Sequence, residues 1–145
     1  MPIKIRKGVT KDARSIKSID TIVPINSSRA ELIDKWLKND IVLVAELDNL
    51  IVGYGVINHE FFRQNQIDML MISQEYRGKR IGENLLLSLE QYADTNKLFV
   101  TTNLSNHIMH KLLLRIGYKP CGYIDELDPG DPELVFVKYV EKRNK

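Results

Sequence analysis

The chain has 145 residues, a length that suggests one domain spanning residues 1–145 with a hydrophobic core of its own. Its net charge of +2 is too small to indicate nucleic acid binding, and its single cysteine, Cys121, excludes an internal disulfide. No stretch approaches the roughly 20 apolar residues of a membrane span, and the opening MPIKIRKGVT does not resemble a signal peptide, so we expect a cytoplasmic protein. The basic residues Lys142, Arg143 and Lys145 are expected to form a solvated terminus.

The first half of the chain predicts one strand, two helices and three further strands. Ile3 and Ile5 alternate with basic residues, as in a strand with one buried face. Thr10 is a candidate cap for the first helix, and Ser28 with Glu31 indicates a capping box for the second. The dipeptide Asp48-Asn49 predicts a hairpin between the next two strands. The three β-rich segments are residues 41–46, 50–58 and 66–72.

The second half predicts two helices alternating with strands. A helix after a basic loop carries an apolar face, and Ser105 or Asn106 can cap the next helix, which Gly117 is suited to end. The apolar face consists of Ile81, Leu85, Leu89 and Tyr92. Strands are predicted over residues 98–101, 118–124 and 134–140. The order βααβββαβαββ indicates a mixed α/β fold, in which helices flank one central, mostly antiparallel sheet.

The loop before the third helix concentrates positive charge. The stretch EYRGKRIGENLL, residues 75–86, brings three basic residues and two glycines together immediately ahead of an apolar helix. A helix N-terminus carries unsatisfied N–H groups and a partial positive charge, and glycine lets the backbone approach a ligand closely. The pattern is typical of a diphosphate site, although a solvated basic turn has the same composition. The fingerprint G-x-G-x-x-G is absent, and Glu83 after Gly82 excludes a P-loop.

Two motifs resemble those of the GNAT-type N-acetyltransferases, which bind acetyl-CoA. In the first, within residues 69–86, the loop matches the pattern R/Q-x-x-G-x-G/A from Arg77 to Gly82, except that Arg80 replaces the first glycine. In the second, Asn106 opens a helix that ends in Gly117-Tyr118. The order of elements also agrees along nearly the whole chain. The resemblance therefore implies a GNAT-like fold.

The resemblance also implies where the cofactor lies. Two parallel strands, one ending near Ile72 and the other covering residues 98–101, should splay apart and admit the pantetheine arm. Backbone groups around Met71, Ile72 and Ser73 would pair with the arm like an added strand, and a main-chain N–H group near Leu70 or Met71 would stabilise the developing oxyanion. Asn106 would hydrogen-bond the arm, although a simple helix cap explains it equally well. The diphosphate would lie on the loop residues Arg77, Gly78, Lys79, Arg80, Ile81, Gly82 and Glu83.

The implied reaction is direct attack of a primary amine on the acetyl thioester, with proton transfer to a base. Asp68 is the first candidate because it is the acidic residue in an apolar strand and can share one side of the sheet with Leu70, unless a bulge shifts the register. Glu60, at the end of the preceding strand, is the second candidate. Solvated edge residues are the alternative interpretation of both.

The expected general acid is missing. In many relatives a tyrosine four residues before the closing glycine protonates the leaving thiolate, and that position is Leu113 here. His110 lies one turn away on the same helix face and is the candidate acid. An ordinary helix histidine, with water as the proton source, is the alternative.

The leading hypothesis is therefore an acetyl-CoA-dependent N-acetyltransferase that acts on a small amine or a peptide and needs no metal. Its acceptor pocket is expected to involve residues 20–29 and 59–62. A catalytically weak acyl-CoA-binding sensor is the alternative that Leu113 favours, whereas the modest net charge argues against a nucleic-acid-binding domain. No membrane partner is expected, and a homodimer is left open.

Overall fold

The computed structural model describes residues 2–141, so the basic residues Lys142, Arg143 and Lys145 lie outside the described part of the chain. Within it, seven strands form one sheet in the order β1-β2-β3-β4-β5-β7-β6. The strands are β1 (Lys4–Lys7), β2 (Ile41–Leu47), β3 (Leu50–Phe61), β4 (Gln64–Ile72), β5 (Lys97–Asn103), β6 (Lys119–Ile124) and β7 (Glu133–Tyr139). The helices are α1 (Ala13–Ile19), α2 (Ser28–Asn39), α3 (Ile81–Glu90) and α4 (His107–Arg115).

The predicted order of helices and strands is confirmed, and so is the mixed sheet. Two single-turn 3₁₀ segments, Thr10–Asp12 and Gln74–Tyr76, precede α1 and α3. The β4–β5 pair is parallel, whereas the other strand pairs of the described chain are antiparallel. No helix within residues 2–141 is long and apolar enough to cross a membrane.

The sheet is buried on both faces at its centre, which explains the unbroken apolar runs of β2 and β3. One core cluster includes Leu85 and Leu89 of α3 and Leu113 of α4. The second cluster lies on the other face and includes Ile16 of α1 and Trp36 of α2. We call these the α3 face and the α2 face of the sheet.

Gly55 of β3 sets how closely α3 packs on the sheet. A Cβ atom at this position would lie 2.6 Å from Cδ1 of Leu89 and 3.3 Å from the main-chain oxygen of Met69. A side chain at this position would require at least the Leu89 side chain to shift, so the bare backbone lets α3 lie directly on β3 and β4. This close packing brings the N-terminus of α3 beside the end of β4.

The helix starts differ in part from the predicted ones. Asn106 Oδ1 does accept a hydrogen bond from the Met109 N–H group at 3.2 Å, and Gly117 has a φ of 105° after α4, as expected. Thr10 does not cap the first helix, because it begins the 3₁₀ turn Thr10–Asp12 ahead of α1; the Val9 N–H group before this turn donates to Asp12 Oδ2 at 2.8 Å. The capping box of Ser28 was also wrong.

At α2 the cap comes from a residue outside the predicted box. Asn26 Oδ1 accepts from both the N–H group and the hydroxyl of Ser28, at 3.0 and 2.7 Å. A short Asn side chain reaches the backbone two residues on, so this turn forms ahead of the helix. Tyr92 was predicted on the apolar face of α3, but the helix ends at Glu90.

Strand β6 is the exposed edge of the sheet. All six of its residues are exposed, and the register with β7 shifts between Pro120 and Gly122. Cys121 is the extra residue at this bulge, and its thiol is free and exposed. A proline and a bulge both discourage pairing of an edge strand with another chain.

A charged network ties β1 to the turn before α1. The Arg6 guanidinium donates to both carboxylate oxygens of Asp12, at 2.9 and 3.0 Å, and to Glu46 Oε1 at 2.7 Å. The hydrogen bond from Arg6 lowers the pKa of Asp12 below its ordinary value, against the effect of burial. The ionised carboxylate is therefore a stabilising partner in the folded chain.

We expect Asp12→Asn to lower the free energy of unfolding by about 1–3 kcal/mol at pH 7, because the charged partner of Arg6 is lost. A depressed folded-state pKa stabilises the fold above the unfolded value of about 3.9, and this stabilisation disappears as the pH falls further. The difference between the two proteins should therefore shrink below about pH 4, as measured by urea denaturation at several pH values. The control is Asp34→Asn, which breaks an exposed pair with Lys17 and should cost less than about 0.5 kcal/mol. Equal stability of Asp12→Asn and wild type at pH 7 would mean that the ionised Asp12 carboxylate does not stabilise the fold.

Candidate functional site

Strands β4 and β5 pair at one end and separate at the other. Their parallel ladder joins residues 65–67 of β4 to residues 98–100 of β5. Beyond it, β4 continues to Ile72 on β3, and β5 continues to Asn103 on β7. The predicted splaying of this parallel pair is confirmed, and it leaves an open gap between the two strands.

The separation begins at a β-bulge in β4. Val56 of β3 is opposite Met69, but the next residue, Ile57, is opposite Ile67. Asp68 is therefore the extra residue, and it comes immediately after the last residue of β4 that pairs with β5. A bulge bends its strand and increases the local twist. The strand thus turns away from β5 at Asp68.

The bulge also decides which face Asp68 occupies. Asp68 Oδ2 accepts hydrogen bonds from Trp36 Nε1 at 3.2 Å and from Asn58 Nδ2 at 2.9 Å. Trp36 belongs to the core on the α2 face, whereas Leu70 packs against the core on the α3 face. Of the two alternatives left open for this strand, the bulge is the one observed: Asp68 and Leu70 lie on opposite sides of the sheet, because the inserted residue shifts the alternation by one.

Two residues of β4 direct their main-chain groups into the gap. The Ser73 N–H group donates to the Val52 carbonyl at 2.8 Å, so Ser73 stands opposite Val52 in a hydrogen-bonded position, next to the Gly53–Ile72 pair. Hydrogen-bonded positions alternate along antiparallel strands, so Met71 also turns its N–H and C=O groups toward β3, whereas Leu70 and Ile72 turn theirs toward the gap. Of the four residues expected to meet the cofactor through the backbone, the structure brings Leu70 and Ile72 to the opening, whereas the N–H groups of Met71 and Ser73 face β3.

The basic loop presents unpaired N–H groups beside this gap. The N–H groups of Arg80, Ile81, Gly82 and Glu83, at the start of α3, have no hydrogen-bond acceptor among the described residues. Arg77, Gly78, Lys79 and Arg80 are exposed, and Arg77 Nε donates to the Ile72 carbonyl at 3.1 Å. The loop is thus suited to an anion by charge, by free donors and by the helix dipole.

Gly82 has room for a side chain that it does not carry. A Cβ atom there would lie 3.7–3.9 Å from side chains of Leu70, Ile72 and Leu112, which is ordinary van der Waals contact. The fold itself therefore does not require glycine at this position. A ligand that approaches the first turn of α3 closely does require it, and in this respect the residues fit the expected cofactor.

Glu83 is the acidic member of the loop, and its charge is compensated. Arg115 of α4 donates to Glu83 Oε1 at 2.8 Å, and Arg80 lies 3.6 Å from the same oxygen. An unpaired carboxylate in the first turn of α3 would repel a phosphate. The two arginines remove most of that repulsion and leave the Glu83 N–H group available.

Two residues expected at the site, Asn106 and His110, lie at the start of α4 and within it, and Leu113 of the same helix stands where the resemblance predicts a tyrosine. Asn106 is exposed at its start and caps the helix, as described above. His110 is partly buried, with Nε2 3.0 Å from the Asn103 carbonyl and its ring against Phe136. Because a carbonyl only accepts, Nε2 carries a proton. Leu113, where relatives carry tyrosine, is completely buried in the core.

Glu60 lies apart from the gap. It lies at the register irregularity of β3 between Asn58 and Phe61, which both pair with β4, and it is exposed, with its N–H group bound to Asn58 Oδ1 at 3.1 Å. Phe61 stacks on Phe99 and Phe62 is 82% exposed at the turn into β4. The segment 59–62 therefore lies at the end where β4 and β5 are paired, whereas Asp68 lies where the gap between them begins.

The sequence did not point to Asn58, which organises the carboxylates near the bulge. Its side chain is buried, with Nδ2 between Asp68 and Asp40 and Oδ1 accepting from Gln66 at 3.1 Å. Burial raises the pKa of Asp40, the Asn58 hydrogen bond opposes the rise, and the Glu60 and Asp68 charges add to it. An asparagine inside an otherwise apolar strand is the signal that could have identified this residue.

The structure shows no metal centre among the described residues, since no three His, Cys, Asp or Glu side chains come together suitably.

The loop holds one residue in a conformation that glycine usually adopts. Arg80, where relatives carry glycine, has φ 62° and ψ 17°, in the left-handed region. An unbranched side chain tolerates this region at moderate cost, whereas a β-branched one does so poorly.

We expect Arg80→Val to be less stable than Arg80→Gly by about 1–2 kcal/mol, because valine is strained at this backbone conformation. The matched control is Arg77→Val, since Arg77 has φ −71° and ψ 155°, where valine is comfortable. That variant should stay within about 0.5 kcal/mol of wild type. Thermal denaturation of the purified variants measures the differences, and equal stability of the two Arg80 variants would show that the loop is not held in this conformation.

Comparison with known proteins gives a family and a set of structures. A sequence model of the acetyltransferase (GNAT) family matches residues 11–118. The crystal structure of a GNAT-family acetyltransferase from Bacillus cereus ATCC 10987 matches with a TM-score of 0.90 at 27% identity, covering 98% of this chain and 100% of that one. No curated protein sequence matches this chain.

Two further structures share the fold and contain a ligand. A putative streptothricin acetyltransferase from Bacillus anthracis, in complex with acetyl coenzyme A, matches with a TM-score of 0.80 at 15% identity, covering 97% of this chain and 100% of that one. A putative acetyltransferase from Salmonella typhimurium, with its cofactor acetyl-CoA, matches with a TM-score of 0.79 at 14% identity and covers 100% of this chain and 98% of that one. At this identity the likeness concerns the fold.

Proposed function

The chain belongs to the GNAT acetyltransferase family, and on that premise we propose that residues 1–145 form one N-acetyltransferase domain that moves an acetyl group from acetyl-CoA to a primary amine. The observation that carries the proposal is the gap between β4 and β5, which opens beside four free N–H groups at the start of α3. An extended ligand arm fits the first feature, and a diphosphate fits the second.

The binding part of the proposal assigns the cofactor to the gap and the basic loop. Leu70 and Ile72 would bind the pantetheine arm through the backbone, as an added strand does. The N–H groups of the loop up to Glu83 would hold the diphosphate, with Arg80 and Lys79 adding charge. Structures of the same fold from Bacillus anthracis and Salmonella typhimurium contain acetyl-CoA, which supports this assignment.

The chemical part assigns roles to the residues at the bulge. Acetyl-CoA supplies an activated thioester, and the amine nitrogen forms the new bond to its carbonyl carbon as the bond to sulfur breaks. Asp68 would take the proton from the amine, since it lies at the start of the gap with Oδ1 unbonded among the described residues. The Leu70 N–H group, which faces the gap, would stabilise the negative charge on the carbonyl oxygen.

The proton for the departing thiolate has two candidate sources. His110 is the proposed donor from the protein, and because its Nε2–H is held by the Asn103 carbonyl, it would act as the imidazolium, giving up the proton on Nδ1 and remaining as the neutral ring. Water is the other source, because an ordinary thiol with a pKa near 8.5 is a moderate leaving group.

A second function is favoured by one observation. Leu113 is buried in the core, at the position where many members of the family carry a tyrosine that acts as the general acid. A chain that binds acyl-CoA but transfers its acyl group poorly would act as a sensor. Tight binding of acetyl-CoA together with no turnover of any amine would support that alternative.

We expect acetyl-CoA and CoA to bind wild-type protein in a calorimetric titration, and Arg80→Glu to weaken binding at least tenfold. The substitution replaces a positive charge at the diphosphate site with a negative one, which removes and then opposes a charge-assisted contact.

The matched control is Arg63→Glu, which makes the same charge change at another exposed arginine with φ 62°. Arg63 lies in the turn before β4, a full strand length from the loop, so affinity should change less than threefold at moderate salt. Equal losses in both variants would mean that only net charge matters. No binding of wild type at millimolar acetyl-CoA would contradict the proposal.

We expect Asp68→Asn to reduce kcat/KM for an amine about 10²–10⁴-fold while acetyl-CoA affinity stays within threefold, because asparagine keeps the shape but accepts no proton. Free-thiol release measures the rate with amines found active in a screen. Glu60→Gln is the control and should change the rate less than threefold. The reverse order of the two effects would assign the base to Glu60.

A further inference from the structure

Arg29, at the start of α2, lies on the α2 face of the sheet next to the bulge. Its guanidinium carbon is 5.7 Å from the centre of the Trp36 ring, and Nη1 is 3.9 Å from Sδ of Met69 in β4. The side chain is only 16% exposed. A cation is thus packed closely against the strand that carries Asp68.

The position of Arg29 is fixed by a buried carboxylate. Arg29 Nη1 donates to Asp20 Oδ2 at 2.8 Å, and the Asp20 side chain is completely buried. The Tyr54 hydroxyl donates to the same oxygen, and the N–H groups of Ile22 and Val23 donate to Oδ1 at 2.8 and 3.1 Å. Burial and then the Asp20 hydrogen bond raise the pKa of Tyr54, so this hydroxyl stays a neutral donor.

Asp20 uses only one nitrogen of the guanidinium. The guanidinium also lies beside the Tyr54 hydroxyl, and Nε and Nη2 make no direct hydrogen bond to another carboxylate or carbonyl within residues 2–141. Because no buried side-chain nitrogen or oxygen of those residues lacks a partner, these two nitrogens are reached by solvent. A counter-ion for Asp20 requires a single charged donor, which lysine also supplies. The remaining N–H groups of the Arg29 guanidinium, which is held in place by Asp20, are not needed for this ion pair.

Arg29 and Asp68 both contact the indole ring of Trp36, Arg29 at its face and Asp68 at its N–H group. Arg29 stacks on the Trp36 ring, and Trp36 Nε1 donates to Asp68 Oδ2 at 3.2 Å. Met69 and Met71, which are partly buried on this face, pack beside them. A small molecule carrying a carboxylate and an amine matches this arrangement, with the carboxylate at Arg29 and the amine at Asp68. Thioether side chains adapt to varied aliphatic shapes between the two charges.

We propose that Arg29 binds the carboxylate of the acceptor through its free guanidinium nitrogens, so that the acceptor is a small zwitterionic amine of the amino acid class. This inference rests on the proposed function, with Asp68 as the base. The carboxylate stays ionised and accepts two N–H groups, while the ammonium gives one proton to Asp68 to become the attacking amine and loses a second to solvent as the amide bond forms. The Arg29 charge disfavours polycationic amines at the same position.

The test compares each of the 20 standard amino acids with its primary amide, which has the same amine and lacks the carboxylate. Wild type should show kcat/KM at least tenfold higher for the acid form of an active amino acid than for its amide. In Arg29→Lys the charge beside Asp20 remains but the fork is lost, so the preference should fall to threefold or less. Acetyl-CoA affinity, measured by titration, should stay unchanged in that variant.

One matched variant and two further measurements separate loss of the Arg29–carboxylate contact from a general effect of the substitution. Arg14→Lys, at an exposed arginine of α1, should keep the full preference. Calorimetric titration of the acid and amide forms into the CoA-bound protein gives a readout independent of turnover, and thermal denaturation reports whether Arg29→Lys is folded.

The possible results distinguish failure of the acceptor inference from failure of the proposed acetyltransferase function. Equal rates and equal binding for acid and amide forms, or activity with polyamines alone, would overturn the inference while acetyl-CoA binding upholds the proposed function. An undiminished preference in Arg29→Lys would also overturn it. Failure of the wild type to bind acetyl-CoA would remove the proposed function itself, which is a different result.

Discussion

The register shift at Asp68 is the feature on which the rest of the site depends. Strand β4 must stay paired with β3, and β5 must stay paired with β7, so one inserted residue in β4 is enough to part the two parallel neighbours. Parting them exposes main-chain donors and acceptors of Leu70 and Ile72, groups that a continuous sheet would have consumed. The same insertion turns a carboxylate toward α2. One local irregularity thus creates both an opening between two strands and a carboxylate on the opposite face of the sheet.

The two faces of the sheet then divide the work of the proposed reaction. On the α3 face, the close packing permitted by Gly55 places the start of α3 beside the end of β4, where the free N–H groups lie. On the α2 face, the buried Asp20 carboxylate fixes the segment before α2 and Arg29 with it. Donor and acceptor would approach from opposite sides of one strand. Neither needs to displace the core, because each face has its own hydrophobic cluster.

The sequence predicted what depends on local pattern and missed what depends on long-range pairing. The element order, the basic loop and the cap at Asn106 follow from periodicity and from short motifs, and they were predicted correctly. The face occupied by Asp68 was left open, because the bulge is defined by the opposition of β4 to β3. The grouping of Asp20, Arg29 and Tyr54 joins three separate segments. No spacing along the chain reveals such a grouping, whereas the unusual Arg80 at a glycine position was visible at once.

The exposed bulge of strand β6 has a practical consequence for any study of this protein. Cys121 is the single cysteine of the chain, its thiol is free, and it stands at the edge of the sheet, away from the β4–β5 gap. Reagents that detect liberated coenzyme thiol will also react with this side chain and give a signal of about one equivalent per protein molecule, independent of turnover. Replacing Cys121 with serine would remove that background. Conversely, the lone thiol offers one defined attachment point for a fluorophore or spin label that leaves the gap, the basic loop and α2 untouched.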